Sequence, residues 1–239
     1  MRRCSGYSRA SAMILSVTEP MKSETPCWCI LPSMQRPPPL ARPTREQIAA
    51  LPVYRALPPG NIHLLKSASQ LEFAERELRA ATHIGFDTES KPTFVTGELQ
   101  TGPDLVQFAT RDHAFIVQAS TPGLEDFLRV VIESDEIIKV GVGIASDRPG
   151  LLRKFGLQLG KTIDVSFMLR ALGYKDAVGL KTAVAIVLGQ RLPKSKKTTT
   201  SNWAAKTLTP QQLQYAANDA HASLLIYHAL SKQRLSNGA

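Results

Sequence analysis

The sequence predicts a single α/β domain in which a mixed β-sheet is flanked by helices. Three observations lead there. Between Asn61 and Gln118, short apolar or alternating runs suited to strands follow one another, two of them joined by a reversal at Arg111 and Asp112. From Gly123 onward, helical periodicity alternates with strand-like runs, as in α/β folds. The ordered part then closes on a long helix whose start is marked by Thr209, Pro210 and Gln212.

The elements follow in order. Residues 1–59 mix Ser, Arg and Pro, include "RPPPLARP" (Arg36 to Pro43) and lack sustained periodicity. They are expected to form a disordered or loosely attached extension, with polyproline II character around Pro37 to Pro39. Met13, Met21 and Met34 are alternative starts within it, and "AMILSV" is too short for a signal-peptide core. The domain is expected over residues 60–235. "NIHLLK" reads as a strand, and "SASQLEFAERELRA" as a helix with Ser67 and Gln70 spaced as a capping box. "HIGFDTES" (His83 to Ser90), "DLVQFAT" and "HAFIVQ" read as strands, and "GLEDFLRVVIE" as a helix. "EIIKVGV" reads as a short apolar strand suited to the centre of a sheet. Helices are expected at about 147–156, 164–172 and 178–188, then a basic loop from Gln190 to Ser201. In the last helix Leu208 and Leu213 have the spacing of a hydrophobic staple.

With 239 residues, 43% of them hydrophobic, the chain can bury a real core, and no apolar run approaches a membrane span. Cys4, Cys27 and Cys29 all lie in the first thirty residues, which excludes a disulfide-built secreted fold. "CWC" lacks the histidines of a zinc site. An intracellular, cytoplasmic protein is expected. The formal charge of +9 points to a polyanionic partner, most simply nucleic acid, and no amphipathic basic helix supports a membrane surface instead.

The chemistry is concentrated in a few acids. In a strand, alternate side chains share a face, so Asp87 and Glu89 point the same way from an otherwise apolar strand. Such carboxylates repel each other and resist desolvation. In the last helix, Tyr215 and Asp219 are four apart and share a face, opposite the small apolar stripe of Leu213, Ala217, Ala220 and Leu224. Asp147 follows "EIIKVGV" at the start of a helix. Asp87, Glu89, Asp147 and Asp219 together make a set of hard oxygen ligands suited to two divalent cations, Mg²⁺ or Mn²⁺.

"FDTE", "VGIASD" and "YAAND" match, in order, the three motifs of the DEDDy 3′–5′ exonucleases, a branch of the ribonuclease-H-like superfamily that this sequence resembles over about residues 60–232. The stretch from Lys194 to Tyr227 is similar to the Werner-type branch, and more distantly to ribonuclease D. Gly143 stands where many members carry Asn, although the Werner-type branch tolerates Gly there. The resemblance implies a ribonuclease-H-like fold and two-metal hydrolysis of terminal phosphodiesters, with release of nucleoside 5′-monophosphates. It implies that Asp87, Glu89 and Asp219 hold the metal that generates the nucleophile. Asp87 would bridge to a second metal, Asp147 would support that metal through water, and Tyr215 would orient the attacking water. The implied partner is DNA or RNA with a free 3′ end.

Plainer readings stand beside these. Asp87 and Glu89 can sit at an exposed strand end, and Asp147 can cap a helix. Asp164 reads as a helix cap, His221 points away from Asp219, and Trp203 reads as packing against the domain. Arg191, Lys194, Lys196 and Lys197 form a basic loop, either solvated or in contact with a phosphate backbone. The rival function is a catalytically silent nucleic-acid-binding relative of the same fold. A small-molecule enzyme lacks support, because "GVGIAS" is only superficially similar to a phosphate-binding glycine fingerprint.

Overall fold

The architecture is a six-stranded mixed sheet with one long helix laid across one face beside two shorter ones, and further short helices on the other face, in a computed structural model that describes residues 40–93 and 101–237. The elements are α1 (Arg45–Ala50), β1 (Ile62–Leu65), α2 (Ala68–Arg79), β2 (His83–Glu89), β3 (Leu105–Ala109), β4 (Ala114–Gln118) and α3 (Leu124–Ile132). They continue with β5 (Ile138–Gly141), α4 (Arg148–Phe155), β6 (Thr162–Asp164), α5 (Val165–Ala171), α6 (Leu180–Leu188), α7 (Lys196–Thr199) and α8 (Pro210–Asn237). Strand order is β1-β4-β3-β2-β5-β6. The β2–β3 and β3–β4 pairs are antiparallel, and the β1–β4, β2–β5 and β5–β6 pairs are parallel.

The period of β2 divides its side chains between two cores. Ile84 and Phe86 join Val106, Phe108, Phe115 and Val117 under α2 and α3. Gly85, Asp87 and Glu89 pair across the ladder with Ala109, Gln107 and Leu105 on the other face. There Leu105, Ala109, Ala114 and Ile116 pack against Tyr215, Ala216, Ala217 and Ala220 of α8. The N-terminus of α8 is fixed by reciprocal bonds: Gln212 N donates to Thr209 Oγ1 at 3.2 Å, and Thr209 N donates to Gln212 Oε1 at 2.9 Å. Leu208 and Leu213 both pack into the same apolar cluster.

One contact sets the distance between α8 and the sheet. A Cβ added to Gly85 would lie 2.0 Å from the Ala220 carbonyl oxygen. Only the absence of a side chain on β2 lets the helix backbone approach so closely. Ala217 and Ala220, both fully buried, keep the facing surface of the helix equally thin.

Three features depart from the sequence reading. First, β5 lies between β2 and the edge strand β6, so it is not at the centre of the sheet. It is not wholly apolar either. Lys139 is fully buried, its ammonium donates to the Ser134 carbonyl, and burial pulls its pKa down to about 8. Second, β6 was not anticipated, because three residues are too few to display a strand period.

Third, the expected loose extension up to residue 59 does not hold for its last twenty residues, while residues 1–39 lie outside the described ones. Thr44 and Gln47 form a capping box on α1. Val53 bridges to Arg191, flanked by bonds from Tyr54 N to Arg191 O at 2.9 Å and from Arg191 N to Pro52 O at 2.8 Å. Ile48, Tyr54 and Leu57 are buried. The His221 Nε2 proton goes to the Arg111 carbonyl at 3.0 Å, so Nδ1 is left to accept from the Tyr54 hydroxyl at 2.7 Å. These anchors fall at irregular spacings in a Pro-rich stretch, which hides them from any periodicity.

Gly85→Ala is therefore expected to destabilise the protein by about 1–3 kcal/mol or more, as overpacking does. Gly60→Ala, with nothing within 4 Å of the added carbon, should be close to neutral. Because the clash is with a backbone carbonyl, Ala220→Gly should not rescue Gly85→Ala. Urea denaturation of the four proteins checks all three outcomes.

Candidate active site

Where β2 passes beneath α8, the helix delivers Asp219 beside Asp87 and Glu89. One carboxylate oxygen from each lies within 4.8 Å of the others. Asp219 is 1% exposed, and its Oδ2 is taken by the Lys194 ammonium. Its Oδ1 has no partner among the described residues. Asp87 Oδ1 accepts from the Thr88 backbone N–H at 3.0 Å. Gln107, opposite Asp87 in the ladder, is also fully buried, with its amide unpartnered among the described residues.

Asp147 arrives from the turn after β5 and is not one of the three. Its Oδ1 accepts from the Thr88 hydroxyl at 2.6 Å, on the neighbouring strand position. Gly143, which opens that turn, has φ of 71°. This left-handed conformation is open to Gly and Asn at little cost, and it accounts for the residue choice there.

The electrostatics are strained in one direction. Burial, followed by repulsion from Asp219, Asp147 and Glu89, holds Asp87 well above the usual carboxylate range. Burial and the Asp219 charge push Glu89 up to about 8. Burial raises Asp147 to about 6 and Asp219 to about 6, the latter held back by Lys194. Burial works against the Lys194 charge, but Asp219 outweighs it, so the net shift is upward. Four acids that cannot all ionise alone, all offering hard oxygens, and one with a buried unpartnered oxygen, fit a divalent cation.

Tyr215 lies one turn before Asp219, 6% exposed, with its hydroxyl 3.3 Å from Thr199 Oγ1 and its ring 5.6 Å from that of Trp203. Burial and the Asp219 charge raise its pKa, so the hydroxyl keeps its proton and can donate it to a hydrogen bond. The Lys194 ammonium stands 4.8 Å from the Tyr215 ring centre.

Thus Asp87, Glu89, Tyr215 and Asp219 converge, with Asp147 alongside. The basic loop divides. Lys194 turns inward to the acids, Lys197 is exposed on α7, Arg191 is half-buried, and the Lys196 side chain lies outside the described residues. Asp164 accepts from Ser166 N at 2.9 Å as a helix cap, and Trp203 is fully buried. The sequence reading missed the inward turn of Lys194, and it missed Thr88 and Thr199 entirely. Nothing in the spacing of Lys194, Lys196 and Lys197 distinguishes the first from the others.

Residues 62–234 match the family model described as 3′-5′ exonuclease. The chain is 39% identical over 105 residues to exonuclease 3′-5′ domain-containing protein 2 of Drosophila melanogaster, covering 44% of this chain and 18% of that protein. It is 29% identical over 178 residues to the bifunctional 3′-5′ exonuclease/ATP-dependent helicase WRN of Mus musculus, covering 72% of this chain and 13% of that protein. The chain thus matches less than two thirds of the length of either relative. The crystal structure of the Aedes aegypti Nibbler EXO domain superposes with a TM-score of 0.66 at 26% identity, covering 77% of this chain and 93% of that one.

Two expectations follow from the charges. Glu89 titrates near 4.3 when unfolded and at about 8 when folded, so across that window the folded state binds the extra proton. Its contribution to stability therefore falls as pH rises from about 4 to 8. Half-buried His63 and His83 and buried His221 have lowered pKa values and titrate in the opposite sense, so the comparison must be differential. In EDTA, Glu89→Gln should gain stability relative to the unsubstituted protein as pH rises from 4 to 8, measured as the shift in urea midpoint. Lys194→Met removes the counter-charge of Asp219. It should lower metal-free stability yet tighten Mn²⁺ binding in calorimetry, because the metal no longer competes with an ammonium.

Proposed function

The chain belongs to the 3′–5′ exonuclease family, and from that premise we propose that it hydrolyses the terminal phosphodiester of a nucleic-acid strand from the 3′ end, releasing nucleoside 5′-monophosphates. The observation that carries this reading is the convergence of Asp87, Glu89 and Asp219 around the buried, unpartnered Oδ1 of Asp219. These three would hold one divalent cation, Mg²⁺ or Mn²⁺, and Asp87 with Asp147 would face a second. Such a pair of cations, when bound, supplies an activated water and stabilises the leaving oxygen.

The remaining roles belong to side chains. Tyr215, neutral and braced by Thr199 and Trp203, donates a hydrogen bond that orients the nucleophile. Removal of a proton by Tyr215 is disfavoured, since its pKa is raised rather than lowered. Thr88 holds the carboxylate of Asp147 in place. Lys194, held on Asp219, would stand beside the reacting phosphate, and the formal charge of +9 favours a polyanionic substrate, DNA or RNA.

Asp87→Asn should abolish cleavage while the fold and its metal-free stability are kept or improved, since a repelling charge is removed. Asp219→Asn differs, because it also strands Lys194, so its metal-free stability should fall. Tyr215→Phe should retain Mn²⁺ affinity in calorimetry but lower single-turnover cleavage by roughly 10²–10⁴-fold. On a labelled oligonucleotide, products should shorten from the 3′ end and a 3′-phosphate should slow them. Shortening from the 5′ end would contradict the assignment.

A further inference from the structure

Beside the acidic cluster, on the far side of Lys194 and Tyr215, lies a cavity of about 710 Å³ to which none of the proposed metal ligands contributes. Its walls come from α1 and the segment after it, from α6, from the loop before α7, and from α8. Arg45, Lys181, Arg191 and Lys194 all line it, and no Asp or Glu does. Among the described residues, Arg45, Lys181 and Arg191 have no acidic partner. Between the cations the lining is mixed: Ile48, Leu192 and the 52% exposed Val53 are apolar, while Gln211, Gln214 and Asn218 of α8 add amides. The backbone of Arg191 is clamped on both sides, to Pro52 and to Tyr54.

We propose that this cavity receives the single nucleic-acid strand leading up to the reacting 3′ end, with Arg45, Lys181 and Arg191 pairing its phosphates. The inference rests on the exonuclease reading and extends it to residues of the N-terminal segment. Cations around a lining that includes apolar side chains and the rings of Tyr54 and Tyr215 are the composition of a single-strand groove, which tracks phosphates while giving bases surfaces to lie on. The cavity shares Lys194 and Tyr215 with the catalytic cluster, so a strand lying in it runs directly to the carboxylates. A volume within the ordinary range of ligand pockets is too small for a duplex. Docking of residues 40–58 thus builds part of the substrate path.

The test is binding, in the Asp87→Asn background and EDTA, of a fluorescent decathymidylate and of thymidine 5′-monophosphate. Arg45→Ala/Lys181→Ala removes two exposed cations whose side chains make no hydrogen bond or ion pair among the described residues, and Arg45→Glu/Lys181→Glu reverses them; circular dichroism checks that both fold. The alanine pair should weaken decathymidylate binding about tenfold or more at 0.1 M salt, lowering the log–log salt slope by about 0.7 for each lost contact. The glutamate pair should weaken it further, and mononucleotide affinity should not change. An unchanged decathymidylate affinity and slope would overturn the inference. So would equal losses for mononucleotide and decanucleotide, which would make the cavity a nucleotide pocket. Turnover of the p-nitrophenyl ester of thymidine 5′-phosphate by the unsubstituted protein reports on the exonuclease reading separately, because it needs the catalytic centre and no extended strand.

Discussion

The structure depends on how closely α8 approaches β2. At Gly85 the helix carbonyl of Ala220 occupies space that any side chain would claim, so the separation is set by bare backbone. Asp219 precedes Ala220 and is carried down with it to within reach of Asp87 and Glu89. The small residues of the helix and the single glycine of the strand therefore serve one end, bringing carboxylates from two elements remote in sequence into one buried cluster. A looser interface would leave three ordinary surface acids with ordinary pKa values.

Close approach has an electrostatic cost. Asp219, Asp147 and Glu89 raise Asp87, Asp219 and Asp147 raise Glu89, and burial raises all of them. Without metal, the fold moderates this with a single cation, Lys194, drawn from the loop before α7 onto Asp219. That arrangement answers only one oxygen, and Oδ1 of the same residue stays unpartnered among the described residues. A divalent cation would satisfy more oxygens than one ammonium can, which is the physical sense in which the cluster fits a metal. Strain of this kind persists at functional sites because the surrounding packing over-determines it.

Much of this was legible in the sequence, for identifiable reasons. The alternation through Ile84, Phe86 and Asp87 assigned faces to β2, and the Thr209–Gln212 box located the start of α8. Local rules sufficed because each is written within one element. What stayed hidden involves partners remote in sequence. Lys194 looks like its neighbours until Asp219 is seen beside it, Asp147 bonds a threonine rather than joining the three acids, and Lys139 hides inside β5 by reaching Ser134. The anchoring of residues 40–58 through Tyr54 and His221 joins positions 167 apart, and no periodicity records that.

The central claim is that the carboxylates from β2 and α8 form one metal platform whose metal-free counter-ion is Lys194. Anomalous diffraction from crystals soaked in Mn²⁺ tests it most directly. The account predicts an anomalous peak ligated by Asp87, Glu89 and Asp219, with the Lys194 ammonium withdrawn from Asp219. Manganese bound elsewhere, or a Lys194–Asp219 pair that persists with no peak between the three acids, would contradict it.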